Sequence, residues 1–427
     1  MFPTPIPLTP HQTKMPLITP QEVESYLSTI ASLPHLSVPL SSYDTVTLLT
    51  GGSANFVYRL SSSSPSSLPS SAPKTLMLKH AAPYVKSNAS IPFPAERLGF
   101  ERKALENVPP VLNDSGEDDG AGQASISVRL AKVYHFDAEA SALVTEDFNP
   151  TMSGWTLKDL VVACYSISTT PDIIFPTVST TGSPASLKTL SPRILDIATQ
   201  LGIYLANLHW STRGKGDGII GDNVPAKNIY RYSYSNLITS LTAYGVPDAQ
   251  EIANEVNQTW GGKLATDGTD GEELCVCHGD FWPGNVLVSS DEEVEKGVKL
   301  GIVDWEMTRL STGATDVAQF AAEAWLLDRF YPLTPSSSLS DGVLSAFLTS
   351  YVKAAKASER NWIDDAFRQR LIIHFGTHLA FWPSRVGWGS KEQTEEVVKF
   401  GAEVLRKGLR GSWKWFQERG ILSALWE

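Results

Sequence analysis

The chain has 427 residues, 42% of them hydrophobic and 19% charged, with 35 Lys plus Arg against 46 Asp plus Glu and a formal net charge of −11. That length suits one large or two medium domains, which can bury a core without disulfide staples. An acidic balance with no basic stripe argues against a nucleic-acid partner held through phosphate contacts.

Cys164, Cys275 and Cys277 are the only cysteines, and Cys275-x-Cys277 is one residue short of the usual redox or zinc pair. Both are expected on a buried strand, in a reducing, cytoplasmic setting. No run of about 18 apolar residues occurs, so neither a transmembrane helix nor a membrane partner is expected. Residues 1–18 are Pro- and Thr-rich, lack an apolar signal core, and read as a disordered tail.

Thr19 and Pro20 open a helix that reaches about Leu33, striped by Val23, Leu27 and Ile30. In residues 43–60, YDTVTLLTGGSANFVYRL, two β-rich runs flank Gly51-Gly52-Ser53-Ala54, a hairpin with a glycine-rich turn. A Ser-rich stretch at 61–71 precedes the strand KTLMLKH at 74–80, where Leu76 and Leu78 alternate with Met77 and Lys79. Residues 94–107 have helical spacing, 113–123 form an acidic loop, and strand-like runs follow at 126–136 and 141–146.

Residues 19–146 therefore predict a small sheet carrying a helix, and 147–427 a mostly helical domain. There, Ser191-Pro192 starts a helix faced by Ile194, Ala198, Leu201, Leu205 and Leu208. Asp316 is placed to cap a second, faced by Val317, Phe320 and Ala324, and 392–410 form a third. Between them lies a hairpin of 285–288 and 299–304. The fold class predicted is α+β.

The most informative segment is CHGDFWPGN…IVDWE, from Cys277 to Glu306. It holds His278-Gly279-Asp280, then Asn285, then Asp304 at the end of the next strand. Phosphoryl transfer from a nucleotide to a hydroxyl needs these groups: a carboxylate for the acceptor proton, and an amide oxygen with a second carboxylate for Mg²⁺.

This segment resembles the signature of the aminoglycoside phosphotransferase and choline kinase superfamily, whose bilobal fold is that of the protein kinases. TGGSANFVYRL resembles its nucleotide loop, LMLKH its lysine strand, FERKALENV its glutamate helix, ALVTEDF its hinge, and LGIYLANLHW and TGATDVAQF further elements in the same order. The C-terminal IIHFGTHLAFWPSRVGWGS is similar to that of methylthioribose kinases and their fungal relatives.

The resemblance implies an ATP- and Mg²⁺-dependent kinase acting on a small-molecule alcohol, with Asp280 as catalytic base and Asn285 and Asp304 as metal ligands. Nucleotide contacts would come from Gly51, Gly52, Ser53 and Asn55 of the glycine loop, from Lys79 paired with Glu101, and from Thr145, Glu146, Asp147 and Phe148 of the hinge. His278 would buttress backbone, and Asp316 would hold the loop. A protein-kinase role is disfavoured because Asp304 is followed by Trp-Glu and no Ala-Pro-Glu segment occurs. The alternative is a binding protein that keeps the fold without the chemistry.

Acceptor candidates are Glu306, Arg309, Trp382, Arg385 and Trp388, with Trp305, Trp325 and His378 nearby. Arg385 between Trp382 and Trp388 would form a triad. Aromatic walls suit a hydrophobic or cationic small molecule or the face of a sugar, and the acidic balance favours a cation such as an amino sugar, choline-like amine or tryptamine, while the resemblance to methylthioribose kinases implies a thiosugar.

Overall fold

The computed structural model describes residues 16–31, 38–50, 52–113, 126–149, 155–169, 187, 190–261, 273–288, 297–333, 342–357 and 361–427. Gly51, the first fifteen residues, most of the acidic loop and the turn of the 285–304 hairpin lie outside them.

Helix α1 (Pro20–Ile30) begins as expected. The Thr19 hydroxyl accepts from the Glu22 amide at 3.3 Å while Glu22 accepts from the Thr19 amide at 2.8 Å, a closed capping box. Its buried face adds Tyr26 to Val23, Leu27 and Ile30.

The strands that follow are β1 (Thr45–Leu48), β2 (Phe56–Ser61), β3 (Thr75–His80) and the short hairpin β4 (Tyr84–Val85) and β5 (Asn88–Pro92). After α2 (Arg97–Asn113) come β6 (Ile126–Leu130), β7 (Val133–Asp137) and β8 (Ala142–Glu146). β1-β2-β3-β8-β7 make one antiparallel sheet. The period-2 pattern of β3 buries Leu76 and Leu78 and leaves Met77 and Lys79 half-buried, as the alternation predicts. α1 and this sheet share a core that includes Tyr58, Leu60 and Val144. Leu17, assigned to the tail from sequence, is fully buried in that core, and its carbonyl accepts from the Tyr58 hydroxyl at 2.9 Å.

The chain divides into two compact units: residues 1–99 with 132–147, and 100–131 with 148–427. The run read as one strand at 126–136 is two. β7 stays with the first sheet, whereas β6 pairs in parallel with a strand of the second unit. The helix expected to stop at 107 runs on to Asn113.

The second unit contains β9 (Trp155–Thr156), α3 (Leu157–Thr169), α4 (Ile194–Thr212), α5 (Val224–Tyr230), α6 (Leu237–Ala243) and α7 (Ala249–Val256). Then follow β10 (Cys275–Cys277), β11 (Val286–Val288), β12 (Val298–Ile302) and β13 (Arg309–Ser311). The last long helices are α8 (Ala314–Phe330), α9 (Val343–Lys356), α10 (Asp365–Phe381) and α11 (Lys391–Leu409). The predicted face of α4 is wholly buried, and α4 packs on α9. β11 and β12 form the expected hairpin, Val286 opposite Ile302, in a sheet ordered β6-β12-β11-β9.

α8 begins at Ala314 with Gly313 at its N-cap, so Asp316 lies inside the first turn rather than capping it. A small β-rich unit and a larger helical one thus give the α+β class expected. No helix among the described residues is long and apolar enough to cross a membrane.

Candidate active site

β10 delivers the chain to the loop that starts at His278. The loop is anchored from behind: Asp316 accepts the His278 amide at 2.6 Å and the Gly279 amide at 3.0 Å. Gly279 has φ +88°, and a Cβ there would lie 1.8 Å from the Met307 carbonyl oxygen, so only glycine fits. Phe281 is buried against Phe320, whose ring stacks on Phe347 at 4.0 Å, tying the loop to α8 and α9.

His209 of α4 lies 3.6 Å from Asp316 with both groups wholly buried. Burial disfavours the charged imidazole, but Asp316 and Cys277 outweigh it and hold the ring protonated to about 9. Burial likewise works against ionised Asp316, and His209 and Arg309 overcome it, keeping its carboxyl below the usual range. Cys275, Cys277 and His209 offer atoms within 4.8 Å of one another. Burial pushes the Cys277 thiol well up, away from the thiolate a metal would need, which favours the reading as buried strand residues.

Asp280 is gripped at both oxygens. Gln319 Nε2 donates to Oδ1 at 2.6 Å and Asn285 Nδ2 to Oδ2 at 3.0 Å, and Asn285 also reaches the Asp280 carbonyl at 2.9 Å. Burial raises its pKa most and the charges of Asp304 and Glu306 raise it further, while the Gln319 and Asn285 hydrogen bonds oppose them. The result is a carboxyl at about 6. Such a group is ionised near neutrality yet basic enough to take a proton.

Asp304 follows β12 with φ 64°, a left-handed conformation that Asp tolerates better than most residues. The Val303 amide donates to the Asn285 carbonyl at 3.0 Å, holding the two candidate metal residues side by side. His278 links both segments: its Nδ1 accepts from the Asp280 amide at 3.2 Å, and its Nε2 donates to the Val303 carbonyl at 2.9 Å. That is the structural support expected of it.

Since Asn285 turns Nδ2 to Asp280, its Oδ1 is the atom left for a cation. An amide oxygen together with the Asp304 and Glu306 carboxylates, whose charges act on Asp280, is the hard-oxygen chemistry that suits Mg²⁺, and a cation held there would relieve that repulsion.

In the first unit, Gly52 has φ +80°, and both Gly52 and Ser53 are exposed. Their loop is held by its backbone: the Ser53 and Ala54 carbonyls accept from the Ser87 and Lys86 amides at 2.9 and 3.1 Å. Asn55 is different. It is buried, and its Oδ1 accepts from Arg97 at 2.7 and 3.2 Å, so its side chain braces the loop. Lys79 lies on β3 opposite Leu143, and Glu101 is buried on α2.

At the hinge, Thr145 and Glu146 close β8, and the Glu146 amide is taken by the Lys132 carbonyl at 2.9 Å. The Asp147 carboxylate binds Arg59 at 2.7 Å and Thr75 at 2.9 Å. Phe148 lies in the second unit against Gly301 of β12, where any Cβ would meet its ring at 2.6 Å.

The acceptor candidates separate. Glu306 is buried near Asp280, with its carbonyl held by Asn223 Nδ2 at 3.1 Å. Arg309 is 1% exposed, packed over the Tyr230 ring at 3.6 Å and bonded to Thr315, which makes it a brace under Gly279 rather than an open ligand contact. The expected triad does not form. Arg385 bonds Ser240 and the Phe381 carbonyl, each at 2.7 Å, and Trp382 packs on the cluster shared by α6, α7 and α11. Trp388 is buried among Phe330, Tyr331 and Lys158. Lys158 in turn lies over Trp282 of the catalytic loop, so Trp388 alone of the three approaches it. Of the nearby residues, Trp305 and Trp325 are core, and His378 bonds Glu323 at 2.8 Å.

Gln319 and Asn223 were missed from sequence. Gln319 was discoverable, standing three residues after Asp316 on the same helical face.

Residues 181–369 match APH, the phosphotransferase enzyme family. Two relatives are 4-hydroxytryptamine kinases. That of Psilocybe cyanescens is 25% identical over 92% of this chain and 93% of its own, and that of Psilocybe cubensis 25% identical over 86% and 88%. Phosphotransferase FrzJ of Cladobotryum sp is 22% identical over 74% and 78%. Among solved structures, choline kinase LicA from Streptococcus pneumoniae aligns over 91% of this chain and 99% of its own, with 16% identity and a TM-score of 0.44. The segment that holds the catalytic loop is therefore a domain of the phosphotransferase enzyme family, and the chain is a phosphotransferase enzyme.

Proposed function

We propose that the chain is an ATP- and Mg²⁺-dependent kinase that transfers the γ-phosphoryl group to the hydroxyl of a small amine-bearing alcohol. The observation that carries this reading is Asp280, fixed at both oxygens by Gln319 and Asn285 with its pKa raised to about 6 beside Asp304 and Glu306.

Asp280 orients the acceptor hydroxyl and receives its proton as the oxygen attacks phosphorus. Asn285 and Asp304, with Glu306 behind them, hold Mg²⁺, which when bound neutralises charge on the transferring phosphates. Gln319 and Asn285 keep the carboxylate from rotating, so the acceptor meets one orientation of it. Gly52 and Ser53 offer loop backbone to the nucleotide, Lys79 a charge for its phosphates, and the backbone of residues 145–147 a place for its base. The 4-hydroxytryptamine kinases among the relatives support an amine-bearing acceptor. The binding-only alternative loses support from the completeness of the Asp280, Asn285, Asp304 and Gln319 set.

The test is a mass-spectrometric transfer screen with Mg-ATP over 4-hydroxytryptamine, choline, ethanolamine, methylthioribose and aminoglycosides. A phosphoryl mass gain on an amine-bearing alcohol, abolished by chelating the metal, is expected. Transfer to the amine-free sugar alone would overturn the acceptor class, and Mg-independent transfer would overturn the metal.

A further inference from the structure

α8 carries Asp316, Gln319 and Glu323 at helical steps that share one face. The first holds the catalytic loop and the second touches Asp280. Glu323 continues the face by one turn, a rise of about 6 Å beyond Gln319. His378 of α10 fixes it there, with Nε2 on Glu323 Oε1 at 2.8 Å.

Glu323 is 6% and Gln319 8% exposed. Yet Glu323 Oε2 and Gln319 Oε1 have no hydrogen-bond partner among the described residues. Both are acceptors, and the Gln319 amide cannot turn without giving up Asp280. A buried carboxylate oxygen without a donor is costly, and the group that relieves it best is a cation bearing N–H.

We infer that Glu323, positioned by His378 and assisted by Gln319 Oε1, seats the protonated nitrogen of the acceptor, one turn along α8 from the Gln319 that grips Asp280. The inference rests on the kinase reading and narrows it. The acceptor is a compact amino alcohol whose ammonium meets Glu323 while its hydroxyl meets Asp280. Glu323 is a specificity residue, selecting for charge and taking no part in proton transfer.

The experiment compares 4-hydroxytryptamine, ethanolamine and glucosamine, each against its neutral N-acetyl form. Calorimetric binding and phosphoryl transfer are measured for the wild type, Glu323→Gln and Glu323→Asp. At least one cation should bind the wild type about 100-fold or more tightly than its N-acetyl form. That preference should collapse in Glu323→Gln, return in part in Glu323→Asp, and appear in transfer chiefly in KM.

If no cation outbinds its neutral form, or the preference survives Glu323→Gln, the inference falls, while transfer to the neutral alcohols would leave the kinase reading standing. A preference lost in Glu323→Gln without transfer to any acceptor would sustain the seat and overturn the kinase reading. The wild-type comparison decides the matter even if Glu323→Gln does not fold.

Discussion

The catalytic segment around Asp280 and the glycine loop around Ser53 are both short turns of chain, yet they are held in opposite ways. Around Asp280 the supports are buried side chains, Asp316 and Gln319 from a helix more than thirty residues away and His278, Phe281 and Asn285 from the loop itself. Around Ser53 they include two backbone hydrogen bonds and the buried Asn55–Arg97 pair, beneath an exposed turn. Charge must be fixed before reaction at the first place, because reorganising a carboxylate during transfer is slow and costly. In the proposed nucleotide role the second place needs only backbone amides open to phosphates, which the exposed turn at Gly52 and Ser53 would offer.

The contrast can be broken most severely at Asp304. Asp304→Asn, which keeps a side chain suited to the left-handed backbone, should lower turnover by about a thousandfold or more, because a charged metal ligand contributes several kcal/mol to the transition state. It should also relieve repulsion at Asp280 without lowering the melting temperature, which steady-state kinetics and a thermal melt together would reveal. Phe281→Ala removes the aromatic anchor of the same loop and should cost about 3–5 kcal/mol in urea unfolding.

The buried His209–Asp316 pair gives a pH signature. The folded ring keeps its proton to about 9, against an ordinary value of 6.5, so its contribution is complete below 6.5 and is lost as pH rises through 9. Stability measured by denaturant across that window should fall by at most about 3 kcal/mol, with the slope flattened in His209→Gln. Ser53→Ala should do least, changing unfolding stability by no more than about 0.5 kcal/mol. The KM for ATP should rise only a few-fold.

The sequence made the segment from His278 to Asp304 legible because its polar groups sit at fixed spacing between apolar strands, and β11 and β12 pair as that spacing requires. The alternation of β3 and the helix start at Thr19 and Pro20 were equally plain, being local. What escaped was long-range. Nothing near Ile126 shows that β6 would join β12, since a parallel pairing leaves no turn signal. Arg385 looked like a ligand because tryptophans flank it, but one turn of helix sends those side chains to different partners. Gln319 and Glu323 read as ordinary helix polar residues until α8 is packed against the loop and α10.

The most direct measurement is single-turnover phosphoryl transfer by Asp280→Asn, paired with Mg-ATP binding by calorimetry. Asn preserves the size of the side chain and can still accept from one of Gln319 and Asn285, but it cannot take the hydroxyl proton. The account predicts that nucleotide affinity stays within a few-fold of the wild type while transfer falls by about a thousandfold or more. Transfer at a wild-type rate by Asp280→Asn would contradict it.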